Sequence, residues 1–177
     1  LKNISFDKRY VIKKFNKPPK LLALKKALKS INYKPILPLK KSLSLALPEL
    51  NWNIDNGSFY EKDEKIGDSY LNGNMNSELI GPKNGLFKSD DFRLGLFLLE
   101  PKIFYKDHMH EAPELYINLT DKVFWRFNFS NWVEKKSGDI IYNKPFKVHA
   151  MKVNEIPFLS IWCWPKNSSG KCNIVSN

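Results

Sequence analysis

The sequence predicts a mostly β single domain, a sandwich or small barrel, with a basic helical extension at its amino end. Three observations carry this. From residue 92 onward, short strand-like runs recur at near-regular spacing between turn residues. Before residue 50, apolar residues recur instead at helical spacing. The charge divides at the same place: residues 1–50 hold 13 Lys or Arg against Asp7 and Glu49, whereas residues 51–177 hold 16 basic and 16 acidic side chains. The expected units are therefore an extension over residues 1–50 and a β domain over residues 51–177.

In residues 20–31, Leu21, Leu24, Leu28 and Ile31 share one helical face, with Lys25, Lys26 and Lys29 elsewhere on the wheel. Pro35 and Pro38 stop that helix. Ser42 is placed to cap a second one, which carries Leu43 and Leu47 before Pro48. Residues 51–85, rich in Asn, Gly and Asp, predict irregular structure and short strands. Strands are then expected over 92–99, 114–119, 123–129, 139–142, 149–153 and 158–164.

Composition narrows the function classes. Hydrophobic content of 42% and aromatic content of 14% describe a folded chain. No run approaches the ~20 apolar residues of a membrane helix. The lysine-rich stretch from Leu1 to Lys20, broken by Pro18-Pro19, does not read as a signal peptide. Cys163 and Cys172 form neither a metal-type pair nor a disulfide framework, so a reducing cytoplasm is expected. The net charge of +11 belongs to the extension, and no nucleic-acid motif or aromatic platform accompanies it. A solvated lysine face on helices covering the main domain is the expectation, with neither nucleic acid nor membrane as partner.

The chain has three histidines, and all three suit one metal site. His108 and His110 lie two apart, so a strand would point both the same way. Glu114 and Tyr116 share that parity if Pro113 leaves the register unshifted, and His149 follows about forty positions later. Three imidazoles and a carboxylate form a shell for a divalent transition metal, and Zn, Fe(II), Mn, Ni and Co all accept it. Glu111, of odd parity, is the poorer ligand.

The spacing His108-x-His110-x-x-x-Glu114 with the distant His149 resembles the metal signature of cupin barrels. Ile80-Gly81-Pro82, Ser89-Asp90, Leu94-Gly95-Leu96, Tyr105-x-x-His108, Glu114-Leu115-Tyr116, His149-Ala150-Met151 and Trp162-x-Trp164 together resemble bacterial dimethylsulfoniopropionate lyases of the cupin type. The resemblance spans roughly residues 50–165. Lys102, Thr120 and Lys147 stand where that pattern usually has turn glycines.

The resemblance implies a single cupin barrel that splits dimethylsulfoniopropionate by β-elimination into dimethyl sulfide and acrylate. Other cupin chemistries, such as a dioxygenase or an isomerase of small acids, and a non-catalytic binding module are the alternatives. Barrels of this class often pair, so a homodimer is also among the expectations. Tyr105 and Tyr116 are the candidate bases. Tyr116 has the ligand parity, whereas Tyr105 reaches the site only if the strand bulges or a loop turns it inward. Trp162 and Trp164 share one face of the last strand and suit a sulfonium, with a cation–π attraction of roughly 0.5–2 kcal/mol. Trp164 is the preferred pocket residue. Trp125 and Trp132 have weaker claims, and Trp52 is placed where a helical cover meets the barrel.

Overall fold

The computed structural model describes residues 4–6 and 17–176. Much of the lysine-rich stretch before Lys20, including the part read as lacking a signal peptide, lies outside the described residues. The helices are α1 (Leu21–Ser30), α2 (Leu37–Ala46) and α3 (Asp68–Gly73). The strands are β1 (Ser5–Phe6), β2 (Asn74–Ile80), β3 (Phe87–Lys88), β4 (Arg93–Leu99), β5 (Phe104–His110) and β6 (Glu114–Asn118). They continue as β7 (Val123–Phe127), β8 (Val133–Lys135), β9 (Ile140–Asn143), β10 (His149–Val153), β11 (Phe158–Trp164) and β12 (Cys172–Ile174).

Two sheets form, one in the order β1-β3-β2-β4-β11-β6-β9 and one in the order β12-β5-β10-β7-β8. Apart from the parallel β2–β3 contact, the strand pairs are antiparallel. Their facing sides share one core. Phe97, Tyr116, Phe158, Trp162 and Trp164 enter it from the larger sheet, and Tyr105, Trp125, Met151 and Val153 from the smaller. Strand alternation does this locally, because Phe158, Trp162 and Trp164 point inward while Leu159 and Ile161 point out.

The outward side of the larger sheet is covered by the helices. Ala23, Leu24, Ala27, Leu28 and Ile31 of the first helical segment pack with Leu43, Trp52, Met75, Leu96, Leu98, Leu119 and Leu159. Each fully buried leucine there contributes about 1.5–3 kcal/mol by leaving water. Lys25, Lys26 and Lys29 stay exposed, as a solvated face requires. Lys40 Nζ of α2 donates to Ile31 O at 2.8 Å, satisfying a carbonyl beside the end of α1.

Two local expectations are corrected. Ser42 is not a cap: α2 begins five residues earlier with Pro38 in its first turn, and the Ser42 hydroxyl bonds back to Pro38 O at 3.2 Å. Proline suits that position because its missing N–H has no helical partner to lose. Residues 51–85 also hold more regular structure than expected, since β2 spans Asn74–Ile80. Its Asn-Met-Asn-Ser-Glu run lacks apolar alternation because Asn74 and Ser77 are buried. Asn74 is anchored there by hydrogen bonds to residue 55 and to Tyr70 O.

The turns lacking the usual glycines hold other residues in left-handed geometry. Lys102 adopts φ 65°, and Lys122 and Phe146 adopt φ 62° and 57°. Such a conformation costs a side chain roughly 1–3 kcal/mol. At Lys102 it is held by a backbone bond to Asn154 O at 3.0 Å.

Candidate metal centre and active site

His108 and His110 project from β5 and His149 from β10, where His149 stands directly opposite His108. All three are buried. Each Nδ1 meets a backbone carbonyl: Lys106 O at 2.7 Å, Ala112 O at 2.7 Å and Lys147 O at 2.9 Å. A carbonyl only accepts, so each ring carries a proton on Nδ1; that leaves the Nε2 lone pairs of His108 and His149 available to a metal, whereas His110 Nε2 faces Glu114 Oε2. The ligand atoms of the three rings lie within 4.8 Å of one another, the one such cluster among the described residues.

Glu114 comes from the other sheet. Residues 111–113 make a corner between β5 and β6, so parity does not run continuously from His110 to Glu114. The alternation within β6 alone turns Glu114 and Tyr116 inward, both buried. Glu114 Oε2 lies 3.3 Å from His110 Nε2 and 3.4 Å from His149 Nε2. The His149 nitrogen is buried without a hydrogen-bond partner among the described residues. Trp164 Nε1 donates to Glu114 Oε1 and Asn143 Nδ2 to Oε2, each at 2.9 Å. These bonds fix the carboxylate's orientation, as outer partners of metal ligands do. Glu111 is exposed and accepts instead from Asn167 at 3.1 Å.

Electrostatics fit a cation at this point. Burial, joined by the neighbouring His149 and His110 rings, holds His108 well below the usual imidazole range. Burial would raise Glu114, but His110 and His149 outweigh it and hold the carboxylate well below its usual range. Burial would lower His110, but the charge and hydrogen bond of Glu114 outweigh it and raise that ring. An anionic carboxylate, an orphaned imidazole nitrogen and two further converging nitrogens together match a divalent transition metal.

The surrounding chamber is aromatic and small, about 50 Å³. Tyr105, Tyr116, Trp162 and Trp164 all line it, beside His108, His110 and Glu114. Phe59 and Asn76 line both this chamber and a larger outer cavity of about 490 Å³. Tyr105 faces inward because β5 bulges. His149 pairs with His108 but Met151 with Tyr105, so Lys106 and Asp107 oppose the single residue Ala150. Burial pushes the phenols of both tyrosines well above their usual range, with neighbouring Tyr60 adding to the effect at Tyr105 and Glu114 at Tyr116.

The other tryptophans lie elsewhere. Trp125 is fully buried in the inner core, and Trp52 packs beneath the helices. Trp132 stacks with Arg126 and Lys152, 4.6 and 4.3 Å from its ring centroid. Cys163 and Cys172 are free thiols, and burial pushes Cys163 up to about 11. Several site residues carried no local sequence signal. Asn143 and Phe59 reach the site through long-range packing. Arg93 sits 5.1 Å from the Phe59 centroid and 5.9 Å from that of Trp164, paired with Glu78 at 3.7 Å. The one legible hint was Asp55-x-Gly57-Ser58, a local turn in which Asp55 Oδ1 accepts from both following amides.

No helix among the described residues is long and apolar enough to cross a membrane. The fold is shared with crystal structures of dimethylsulfoniopropionate lyases. One, from a study of RdDddP and RnDddQII, has a TM-score of 0.77 at 19% identity, covering 99% of this chain and 85% of that one. DddQ from Ruegeria pomeroyi DSS-3 has a TM-score of 0.77 at 16% identity, covering 98% and 83%. A cupin-like protein from Thermotoga maritima has a TM-score of 0.51 at 17% identity, covering 59% and 77%. The architecture is therefore a cupin barrel with helices at its amino end. No curated protein sequence matches the chain. The profile of the dimethylsulfoniopropionate lyase family matches residues 8–160, and the chain belongs to that family.

Proposed function

We propose that this protein cleaves dimethylsulfoniopropionate by β-elimination, releasing dimethyl sulfide and acrylate. Family membership supports the reaction, and one observation carries the site: three imidazole nitrogens converge beside an aromatic chamber, with the Glu114 carboxylate against two of them. His108, His110, His149 and Glu114 would hold one divalent transition-metal ion, with Zn, Fe(II), Mn, Ni and Co as the identities to test. Such an ion supplies positive charge that neutralises the substrate carboxylate and favours ionisation of a phenol beside Glu114.

The remaining work falls to the chain's own residues. A tyrosine oxygen takes the proton from the carbon next to the carboxylate, and the C–H electron pair becomes the double bond of acrylate. The C–S pair leaves with sulfur as neutral dimethyl sulfide. Tyr116 is the preferred base, since it follows Glu114 by two positions on β6 and lines the chamber. Tyr105, on the opposite sheet, orients the substrate. Trp162 and Trp164 supply indole surface for the sulfonium, and Trp164 also holds Glu114. The aromatic walls keep water from the carbanion-like transition state.

We read residues 1–50 as a cover for the barrel of residues 51–177, not as a nucleic-acid or membrane surface, and the free thiols as suited to the cytoplasm. A homodimer fits the behaviour of such barrels. Incubation of metal-loaded protein with dimethylsulfoniopropionate should release dimethyl sulfide into the headspace with equimolar acrylate. Protein that contains metal and yields neither product overturns the reading.

A further inference from the structure

A cation stands where the outer cavity meets the metal chamber. Arg93 lines the cavity of about 490 Å³, and Phe59 and Asn76 line both that cavity and the chamber. Arg93 on β4 stands directly opposite Trp164 on β11, so the two side chains share the inward face. Its guanidinium carbon sits 5.1 Å from the Phe59 centroid and 5.9 Å from that of Trp164. The Trp164 ring in turn lies 4.9 Å from the His110 ring. A single indole therefore lies between this cation and a metal-site histidine.

The guanidinium is short of hydrogen bonds. It offers five N–H groups in a planar fork. Its Nε is buried without a hydrogen-bond partner among the described residues. Glu78 Oε2 lies 3.7 Å from Nη1, an ion pair too long for a hydrogen bond. Glu78 Oε1 is turned instead to the Asn84 amide, 3.3 Å away. Only 14% of the Arg93 side chain is exposed, so it has lost most of its water without a hydrogen bond from the described residues in exchange.

The other charged groups lining the cavity are engaged or face water. Asp55 accepts from Gly57 N, Ser58 N and the Tyr70 hydroxyl, and Lys171 Nζ bonds Ser58 O. Lys83 and Asp90 are exposed. Arg93 is thus the half-buried cation with donors to spare, and it stands at the inner end. A carboxylate matches such a fork, since its two oxygens accept two parallel N–H bonds.

We infer that the outer cavity is an antechamber of the active site, in which Arg93 is a carboxylate-binding residue. It takes the carboxylate of the incoming substrate before the metal centre does, and that of acrylate on the way out. The inference rests on the lyase reading for the identity of these two acids. The preference of the cavity for a carboxylate is measurable without turnover.

The probe is 2-naphthoate, a rigid fluorescent carboxylate far bulkier than the substrate, which suits the outer cavity and not the inner chamber of about 50 Å³. Fluorescence titration gives its dissociation constant on metal-loaded wild type, Arg93→Lys and Arg93→Gln, with 2-naphthamide as the neutral isostere. Wild type should bind the naphthoate more tightly than the amide. Arg93→Gln should weaken naphthoate binding at least about tenfold, the effect of losing a hydrogen-bonded charge. Arg93→Lys should fall between, keeping the charge but losing the fork. Affinity for the naphthamide and metal content should match wild type in both variants, which a collapsed cavity would not allow. Equal naphthoate affinity in wild type and Arg93→Gln overturns the inference. So does a wild type without preference for the carboxylate, or an affinity that follows metal content instead of Arg93. If Arg93→Gln does not fold, Arg93→Lys decides, and an unchanged naphthoate affinity there overturns the inference. The lyase reading is judged separately by dimethyl sulfide release from the wild type.

Discussion

The two faces of β4 and β11 serve two different cores. On the outer face, Leu96, Leu98 and Leu159 meet Leu24, Ala27 and Leu28 of α1 in an aliphatic layer. On the inner face, Phe97, Phe158, Trp162 and Trp164 meet tyrosines and the histidine cluster. The outer layer is held by burial, which has no direction and tolerates exchange among side chains of similar volume. The inner one depends on directed bonds, such as Trp164 to Glu114 and each imidazole to its carbonyl. Neighbours in sequence thus belong to different regimes: Phe97 serves the site, while Leu98 serves only the fold.

That contrast can be tested by its effect on turnover, from largest to smallest. His108→Ala should reduce dimethyl sulfide release to the uncatalysed background and lower metal content. Chelation of the wild type should do the same reversibly, with activity restored by a divalent ion. Full activity in a variant shown by elemental analysis to lack metal would break the assignment of the inner core.

Tyr116→Phe comes next. A general base contributes about 100- to 10,000-fold, so kcat should fall by that range with metal retained and substrate binding little changed. If Tyr105→Phe gives this loss and Tyr116→Phe does not, the two roles exchange.

Trp164→Phe keeps an aromatic ring but deletes the donor to Glu114. Loss of an outer hydrogen bond to a ligand typically lowers metal affinity by about 10- to 100-fold, so activity should recover when excess metal is supplied. Competition with a calibrated chelator measures the affinity, and an unchanged value would show that this bond does not hold the ligand.

Leu98→Ala should leave kcat per folded molecule unchanged. The side chain is fully buried in the outer layer, so the substitution should cost about 2–5 kcal/mol of unfolding free energy. Denaturant titration gives the second quantity and steady-state kinetics the first. A large fall in kcat would mean that the outer layer controls the site's geometry, and the two faces would no longer be independent.

Much of this organisation is written locally. Leu24, Leu28 and Ile31, spaced along residues 20–31, mark the covering helix, and the alternation Phe158-x-x-x-Trp162-x-Trp164 marks the inward face of β11. His108 and His110 share a face because strand side chains repeat every two residues. The buried polar strand β2 was illegible for the opposite reason: its asparagine is satisfied by partners about twenty positions away as well as nearby. Tyr60, whose hydroxyl bonds that of Tyr105, and Tyr70, whose hydroxyl donates to Asp55, were missed in the same way, since both meetings depend on where the segment before β2 packs.

By itself, then, the sequence determined the periodicities, the covering helices, the strand faces and the set of metal-ligand types. Those properties depend on the stereochemistry of neighbouring residues and on which side chains leave water. Only the tertiary structure decided that a bulge opposite Ala150 turns Tyr105 inward, that His149 stands against His108, and that Glu114 arrives from the other sheet. Register, bulges and the closure of two sheets are set by contacts between distant segments, where packing and hydrogen bonds from both partners must be satisfied together.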